Sequence, residues 1–193
     1  MDQLPETILQ FGTGKFLRGF ADLFVHQANQ EGQAMGRIVV VQTTGEDRAR
    51  LLNEQQGRYH VAVRGLEGGR VVERVEESAS VSRALCAGPQ WDEVLAVARA
   101  PELRYVISNT AEAGYTLDPQ DRPGDAPPRS FPGKLLLVLR ERFRAGPGQL
   151  GPVDAHHVSA LFGLHTIMVR GIRGQGNASS AVAPVRGQNR PAL

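Results

Sequence analysis

The sequence predicts an α/β fold with a doubly wound, mostly parallel sheet and a β-hairpin insertion. A short apolar stretch, residues 7–11, ends in glycines, as a buried strand does where it enters a tight turn. A helical pattern follows the turn, and then a continuous β-branched run, Arg37–Gln42, which is typical of a parallel strand covered on both faces. Strand, turn, helix and strand in this order form a βαβ unit, the building block of parallel sheets.

The first helix is predicted from apolar residues that recur at spacings of three and four. It is expected to run to about Glu31, with Gly32 near its end. The apolar residues expected on its buried face are Phe16, Leu17, Phe20, Leu23, Phe24 and Ala28.

The hairpin insertion is predicted in the middle of the chain. Residues 59–66 and 70–75 alternate as strands on either side of the turn Glu67-Gly68-Gly69. A short helix over residues 48–55 precedes this hairpin, and a strand over residues 81–85 follows it.

The next segments continue the alternation of helices and strands. Trp91–Arg99 has helical spacing, and residues 105–108 form a buried-strand pattern. Residues 118–128 contain four prolines and three aspartates, which predicts a long loop. A further helix is expected over residues 135–143. After Gly146-Pro147-Gly148 the periodic patterns end.

Composition excludes several classes of function. A single cysteine, Cys86, excludes an intramolecular disulfide framework and a cysteine-built zinc site. No apolar run approaches the roughly 20 residues of a membrane span, and no secretion signal is evident. Residues 1–150 carry a net charge of −1, so they offer no basic surface for nucleic acid. We therefore expect a cytoplasmic protein that binds neither nucleic acid nor a membrane and holds no metal.

The turn Gly12-Thr13-Gly14 has the residue types that a pyrophosphate site needs. The first glycine permits a tight bend, and the second lets the backbone approach phosphates without a Cβ in the way. The phosphates would then lie at the start of the following helix, against its unpaired N–H groups. Leu17 stands where the full G-x-G-x-x-G pattern has its third glycine, so an ordinary tight βα turn is the alternative. Arg18 lies where a cation could reach a phosphate; otherwise it is a plain surface arginine.

The end of the second strand bears on the choice of dinucleotide. NAD sites place an acidic residue there to bind the ribose hydroxyls. Here the strand ends Gln42-Thr43-Thr44, and the first carboxylates are those of Glu46 and Asp47. Gln42 is our candidate for the ribose hydrogen bond, and the choice between NAD and NADP stays open.

Several motifs agree, in order and spacing, with one enzyme family. Gly12-Thr13-Gly14-Lys15-Phe16-Leu17-Arg18 is similar to the G-x-G-x-F-x-R pattern of the polyol-specific long-chain dehydrogenases, the mannitol dehydrogenase family. Ser108-Asn109-Thr110-Ala111-Glu112-Ala113-Gly114 resembles that family's S-N-T-T-E-A-G block in the form typical of tagaturonate reductases (altronate oxidoreductases), with alanine for one threonine. Arg64-Gly65-Leu66 and residues 101–106 and 131–135 agree as well. The resemblance covers about residues 6–150.

The resemblance implies a Rossmann-like domain that binds NAD and serves the interconversion of a keto-sugar acid and its hydroxy acid. The residues that it places around the pyrophosphate are Phe11, Gly12, Thr13, Gly14, Lys15, Phe16, Leu17 and Arg18. Asn109, Thr110 and Glu112 follow the carboxyl end of a strand, where open α/β sheets bind ligands, so they are expected near the nicotinamide ribose. Without the resemblance, Glu112 would be taken for a solvated loop carboxylate.

No catalytic residue can be assigned. Reduction of a carbonyl by hydride needs an acid that protonates the forming alkoxide. The resemblance implies a lysine in a K-x-x-x-x-N-x-x-H pattern, in a second, helical domain. Neither Lys15 nor Lys134 is followed by an asparagine five positions on. The neighbouring histidines His156 and His157 diverge on any regular element, and we regard them as unassigned tail residues.

The last part of the chain differs from the rest. Residues 151–193 carry a net charge of +3 and show no periodicity, which predicts an irregular basic tail after a domain formed by residues 1–150. Codons for residues 154–162, read one base later, can encode a hydrophobic strand of the kind that follows this point in the family. This motivates the hypothesis that the tail is a frameshifted remnant, which sequencing of the DNA would test.

The leading functional hypothesis is an NAD-dependent oxidoreductase of the tagaturonate reductase kind, present here as its cofactor-binding half. A sugar-acid substrate would bind only if the missing domain were supplied. The alternative is a catalytically inert, truncated nucleotide-binding module. A domain that normally packs against a second one exposes its contact face when alone, which predicts self-association through that face.

Overall fold

A computed structural model of the chain describes residues 3–110, 112–122 and 124–146, together with two strands nearer the C-terminus. For residues 112 and 113 and for those two strands, the description covers the backbone only. In chain order the elements are β1 (Glu6–Phe11), α1 (Lys15–Gly19), α2 (Ala21–Gln30), β2 (Arg37–Gln42), α3 (Asp47–Glu54), β3 (Tyr59–Glu67), β4 (Arg70–Ser78), β5 (Val81–Cys86), α4 (Trp91–Arg99), β6 (Tyr105–Thr110), a short 3-10 helix (Glu112–Tyr115), α5 (Phe131–Ala145), β7 (Asp154–Ser159) and β8 (His165–Arg170).

One sheet of six strands, in the order β5-β2-β1-β6-β8-β7, forms the centre of the fold. The first four of these strands are parallel, and β8 and β7 continue the sheet in antiparallel fashion. Strands β3 and β4 pair with each other in a separate two-stranded sheet. The predicted fold class, a mostly parallel α/β sheet with a hairpin insertion, is confirmed.

Each face of the parallel sheet has its own hydrophobic core, because successive residues of a strand point to opposite faces. On one face Leu9 packs with Trp91 of α4 and Val138 of α5. On the other face Ile8 packs with Leu17 of α1 and Leu52 of α3. Burial of both faces explains the continuous apolar run at residues 38–41 of β2.

The predicted helix after the glycine turn is interrupted. Phe20 has non-helical backbone angles (φ −122°, ψ −74°) and separates α1 from α2, although its N–H still donates to the Phe16 carbonyl at 3.0 Å. The interruption follows Gly19, a residue that stabilises helices poorly. Phe20 and Phe24 are more than half exposed, contrary to the prediction that they are buried. The buried face of α2 consists of Asp22, Leu23, Val25 and His26.

Helix α5 begins at Phe131, earlier than the predicted residue 135. The Ser130 side chain caps this helix by accepting a hydrogen bond from the Gly133 N–H at 3.1 Å, and Pro132 occupies its first turn. Lys134 is buried in that first turn, where its ammonium donates to the Arg129 carbonyl at 2.6 Å. The apolar period alone did not reveal these polar contacts.

Strands β7 and β8 lie within the segment predicted to be an irregular tail. β8 pairs with β6, from Tyr105 opposite Arg170 to Thr110 opposite His165, and β7 pairs with β8. The β8 segment is rich in β-branched residues, which favour strands, and it covers the backbone groups of β6 that would otherwise form a sheet edge. For these two segments the expected irregular structure is wrong. The remaining tail residues lie outside the described ones, so the frameshift hypothesis stays a prediction.

Two properties of the described part of the chain bear on membranes and metals. None of its helices combines the length and the apolar character needed to cross a membrane. Nor do three His, Cys, Asp or Glu side chains gather there in a way that could hold a metal ion.

Candidate cofactor-binding site

The carboxyl ends of β1 and β6 lie side by side, with Phe11 paired to Ser108. From β1 the chain proceeds through β2 to β5 on one side and then returns to β6 on the other. The order in which strands are added to the sheet therefore reverses between β1 and β6, although the two strands are parallel. At such a topological switch point, open α/β sheets form the crevice in which they bind ligands.

The two glycines of the turn after β1 differ in the reason that each position needs glycine. Gly12 has a φ of +117°, which other residues rarely adopt, and its N–H donates to the Val41 carbonyl at 2.9 Å. Gly14 has an ordinary extended backbone (φ −67°, ψ 156°), yet no heavy atom lies within 4 Å of the place where its Cβ would be. Gly12 thus makes the bend, and Gly14 leaves open space in front of the turn.

Some of the other residues predicted around the pyrophosphate are buried, and the others lie at or near the surface. The buried members are Phe11, Thr13 and Leu17. The Phe11 ring lies against Phe131 at the start of α5, with 5.5 Å between the ring centroids. Phe16 is half-buried and Lys15 is exposed. Arg18 is half-buried and lines, together with Lys15, the cleft between α1 and the hairpin.

Two clefts open beside the turn. A cleft of about 560 Å³ lies between α1 and the hairpin, and its lining includes Arg18 and the β3 residues from Tyr59 to Arg64. A cleft of about 440 Å³ lies between the turn and the end of β2, and its lining includes Thr44, Asp47 and Arg48. The second cleft has the location in which dinucleotide-binding folds place a ribose.

Gln42 lies at the end of β2, but its amide is engaged inside the protein. Its Oε1 accepts a hydrogen bond from the Ala49 N–H at 2.7 Å, and its Nε2 donates to the Thr44 carbonyl at 2.7 Å. The structure therefore gives this side chain a structural role, and because Gln42 also lines the cleft between the turn and the end of β2, its contact with a ribose stays a prediction. The loop after β2 turns back and brings the first turn of α3 within reach of the amide, which no sequence period reveals.

We expect the variant Gln42→Met to unfold more easily than the wild type. Methionine preserves the length of the side chain but leaves the buried Ala49 N–H without its acceptor, which is expected to cost about 1–3 kcal/mol. Urea unfolding followed by circular dichroism measures the effect. Gln33→Met, at an exposed position, is the matched control and should stay within about 0.5 kcal/mol of the wild type. An unchanged urea midpoint for Gln42→Met would contradict the structural role.

The end of β6 offers polar atoms that lack partners. Ser108 Oγ and Asn109 Oδ1 are buried and make no hydrogen bond to the described residues. Because an unpaired buried polar atom is costly, these atoms mark a place suited to a polar ligand or water. Thr110 is half-buried at the last position of the strand. The Glu112 backbone opens the 3-10 helix, and its side chain lies outside the described part of the chain.

A buried polar cluster that the sequence did not predict is formed by Gln10, Asp22 and Tyr59. Gln10 on β1 and Asp22 on α2 are both inaccessible to solvent. Gln10 Nε2 donates to Asp22 Oδ2 at 3.4 Å, and the Tyr59 hydroxyl donates to the same oxygen at 3.0 Å. Gln10 Oε1 and Asp22 Oδ1 have no hydrogen-bond partner among the described residues.

Burial decides the protonation of this cluster. Loss of solvent raises the pKa of Asp22 from 3.8 to about 6, although hydrogen bonds from Tyr59 and Gln10 and the charge of Arg18 lower it. Burial, with a contribution from the Asp22 charge, raises the pKa of Tyr59, so its hydroxyl keeps its proton at neutral pH. One signal was present in the sequence. Gln10 is two positions after the apolar Ile8, so both side chains lie on the same, core-facing side of β1.

Comparison with curated proteins identifies close relatives of part of the chain. No protein-family model matches it. The altronate oxidoreductase of Bacteroides thetaiotaomicron is 43% identical over 146 residues, which are 76% of this chain and 30% of that protein. The altronate oxidoreductase of Bacillus subtilis is 40% identical over 146 residues, with the same two coverages. The chain thus spans about 30% of the length of these relatives.

Solved structures show the same fold at lower identity. A mannitol 2-dehydrogenase of Pseudomonas fluorescens, in a ternary complex with NAD and D-mannitol, superposes with a TM-score of 0.60 and 21% identity over 75% of this chain and 32% of that one. A D-sorbitol dehydrogenase in substrate-free form gives a TM-score of 0.59 and 23% identity over 75% of this chain and 33% of that one. Both confirm the Rossmann-like fold. The matched part of this chain is therefore similar in sequence to the first part of altronate oxidoreductases and shares its fold with polyol dehydrogenases, which agrees with the resemblance to the mannitol dehydrogenase family noted from its motifs.

Proposed function

We propose that residues 1–150 bind a nicotinamide dinucleotide, NAD, in the crevice between β1 and β6. The observation that carries the proposal is the turn at Gly12 and Gly14. It combines a left-handed bend with open space at the switch point of a parallel sheet. Two cations, Lys15 and Arg18, follow the turn on α1 and line the neighbouring cleft, which suits an anionic group.

Each part of the dinucleotide has proposed contacts. Backbone N–H groups at the start of α1 and the Arg18 guanidinium would hold the pyrophosphate. The cleft beside β2 would take the adenosine ribose. Asp47 there can accept hydrogen bonds from ribose hydroxyls, whereas Arg48 can donate to a 2′-phosphate. Asn109 Oδ1, buried and without a partner among the described residues, would face the nicotinamide ribose.

The reaction that we propose for the complete protein is the interconversion of a keto-sugar acid and its hydroxy acid. It rests on the altronate oxidoreductases that share about 40% identity with this chain. When bound, NAD supplies the acceptor for a hydride from the sugar alcohol carbon. The residues of this chain would bind the coenzyme and orient it, and the proposed site for the sugar acid lies in the part of those relatives that this chain does not span.

We further propose that this chain, by itself, binds the coenzyme without turnover. Lys134 is buried and its ammonium is held by the Arg129 carbonyl, so it is not placed to protonate a substrate. A binding module without catalytic activity is therefore the second candidate function. The proposed location of either is the cytoplasm, where the coenzyme pool is available.

A binding titration and an activity assay test these proposals. The fluorescence of NADH should change to saturation as purified chain is added, with NADPH titrated in parallel to decide between the two coenzymes. Oxidation of NADH in the presence of tagaturonate or fructuronate should not exceed the background rate. A titration without saturation would overturn the proposed binding, and steady turnover would overturn the proposal of binding alone.

We propose that the purified chain self-associates. Large apolar side chains are exposed at the start of α2 and on the hairpin. The side chains in these two places that are more than half exposed are Phe20, Phe24, Leu66, Val71 and Val75. Apolar surface of this kind favours association in water. We expect size-exclusion chromatography to show an apparent mass that rises with protein concentration. A monomer at all concentrations and salt conditions would contradict this expectation.

A further inference from the structure

We propose that Tyr59 and Asp22 are positioning residues for Arg18, and that they hold its guanidinium at the edge of the 560 Å³ cleft for contact with the dinucleotide pyrophosphate. The proposal rests on the proposed function, because it requires a pyrophosphate to be bound at the turn. It gives the hairpin insertion a role in the binding site, since Tyr59 is the first residue of β3.

Tyr59 contacts Arg18 at two places. The Tyr59 hydroxyl lies 3.1 Å from the Arg18 carbonyl oxygen, and the Arg18 guanidinium carbon lies 5.6 Å from the centre of the Tyr59 ring. The second distance is within the range of cation–π attraction. One aromatic side chain therefore fixes both the backbone and the head group of this arginine.

Asp22 fixes Tyr59 in turn. Its Oδ2 lies 3.0 Å from the Tyr59 hydroxyl and also accepts a hydrogen bond from Gln10. Asp22 and Gln10 are completely buried, so neither side chain has room to move away. The Tyr59 hydroxyl has a single proton, which it shares between the carboxylate and the Arg18 carbonyl. The ring is thereby held in one orientation under the guanidinium.

Arg18 has donor capacity left for a ligand. Its Nε is buried without a partner among the described residues, so the donors that a ligand in the cleft would reach are those on the terminal nitrogens. A long side chain that is ordered before binding loses less conformational freedom when the ligand arrives. Arg18 is one turn beyond Gly14, where no atom occupies the space in front of the backbone. Arg18 lines the cleft between α1 and the hairpin, so an anion that reaches this cleft from the turn would meet a guanidinium that is already in place.

A double-mutant cycle on NADH affinity tests the proposal. Tyr59→Phe keeps the ring and removes the hydroxyl, and we expect it to raise the Kd for NADH about 3- to 10-fold. In the Arg18→Gln background, the same substitution should change the Kd less than twofold, because the side chain being positioned is gone. In the Lys15→Gln background it should keep its full effect, since no contact joins Lys15 to Tyr59 among the described residues. Tyr105→Phe is the matched control for loss of a tyrosine hydroxyl.

Two Asp22 variants provide a second, independent measurement. Asp22→Asn retains an oxygen that can accept the Tyr59 hydrogen bond and should leave the Kd for NADH within twofold of the wild type. Asp22→Val removes the acceptor and should weaken binding as Tyr59→Phe does. Thermal melts establish that each variant is folded at the temperature of the titration.

The outcomes separate this inference from the proposed function. If the wild-type chain does not saturate with NADH, both the proposed coenzyme binding and the positioning role of Tyr59 and Asp22 are overturned. If the wild type saturates and Tyr59→Phe binds equally well, the positioning role alone is overturned. An equal loss in the wild-type and Arg18→Gln backgrounds would also overturn it, because the hydroxyl would then act on the fold and not through Arg18.

Discussion

Replacing Asp22 with asparagine is expected to stabilise the folded chain at pH 8 and to have a much smaller effect at pH 4. Asp22 has no access to solvent, and its burial raises its pKa from 3.8 to about 6. Above pH 6 the folded protein must keep a charge away from water. Asparagine has nearly the same shape and no charge, and its oxygen can still accept the hydrogen bonds from Tyr59 and Gln10.

The sign and size of the effect follow from the direction of the pKa shift. Because the pKa of Asp22 is higher in the folded protein than in the unfolded chain, the folded protein binds the proton more tightly. The stability due to this proton is complete below about pH 4 and is lost as the pH rises through 6. A shift from 3.8 to about 6 corresponds to roughly 3 kcal/mol between pH 4 and pH 8.

Urea unfolding at several pH values between 4 and 8 measures this prediction. The difference in unfolding free energy between Asp22→Asn and the wild type should grow in favour of the variant by roughly 3 kcal/mol from pH 4 to pH 8. Asp92→Asn, at an exposed position on α4, is the matched control and should differ from the wild type by about 0.5 kcal/mol at either end. A difference for Asp22→Asn that does not change with pH would show that Asp22 is not buried as a charge.

Replacing Gly14 with aspartate is expected to abolish NADH binding without unfolding the domain. The backbone at Gly14 has angles that any residue adopts, and no atom lies within 4 Å of the added Cβ. Gly14 is also the N-cap of α1, a position at which aspartate is favourable. The new carboxylate would nevertheless occupy the space proposed for the pyrophosphate, where two like charges repel by several kcal/mol.

NADH titration and thermal melting together measure this second prediction. We expect the Kd for NADH to rise by about 100-fold or more, with a melting temperature equal to or above that of the wild type. Gly65→Asp, on the hairpin, adds the same side chain at another position with empty space around the Cβ, and it should bind NADH normally. Normal NADH binding by Gly14→Asp would mean that no phosphate approaches this turn.

The central βαβ unit was predictable because its signals are local. Burial on both faces makes Arg37–Gln42 a continuous apolar run, and the bounds of this strand agree with the prediction. Trp91–Arg99 agrees as well, because its apolar residues follow the helical period throughout. The hairpin was predictable from alternation on both sides of Gly68-Gly69, whose positive φ values suit a tight turn.

The apolar period failed to predict three features of the structure: the exposure of two phenylalanines, the start of α5 and the strand β8. Phe20 and Phe24 continue the helical period, yet the interruption at Phe20 leaves both exposed. Ser130 starts α5 through a side-chain hydrogen bond before the apolar period begins. β8 completes the sheet at β6 from within a segment without apolar periodicity, because pairing with a neighbouring strand satisfies its backbone.

The sequence by itself determined the fold class and the turn at Gly12 and Gly14, since both depend on patterns of residues that are close together in the chain. Only the tertiary structure decided which polar side chains are engaged. Gln42 bonds Ala49 and Thr44 across a loop, and Tyr59 reaches Asp22 over a separation of 37 residues. Contacts of this kind depend on how strands and helices are packed. Packing brings together residues that are distant in the sequence, and no local sequence pattern predicts which of them will meet.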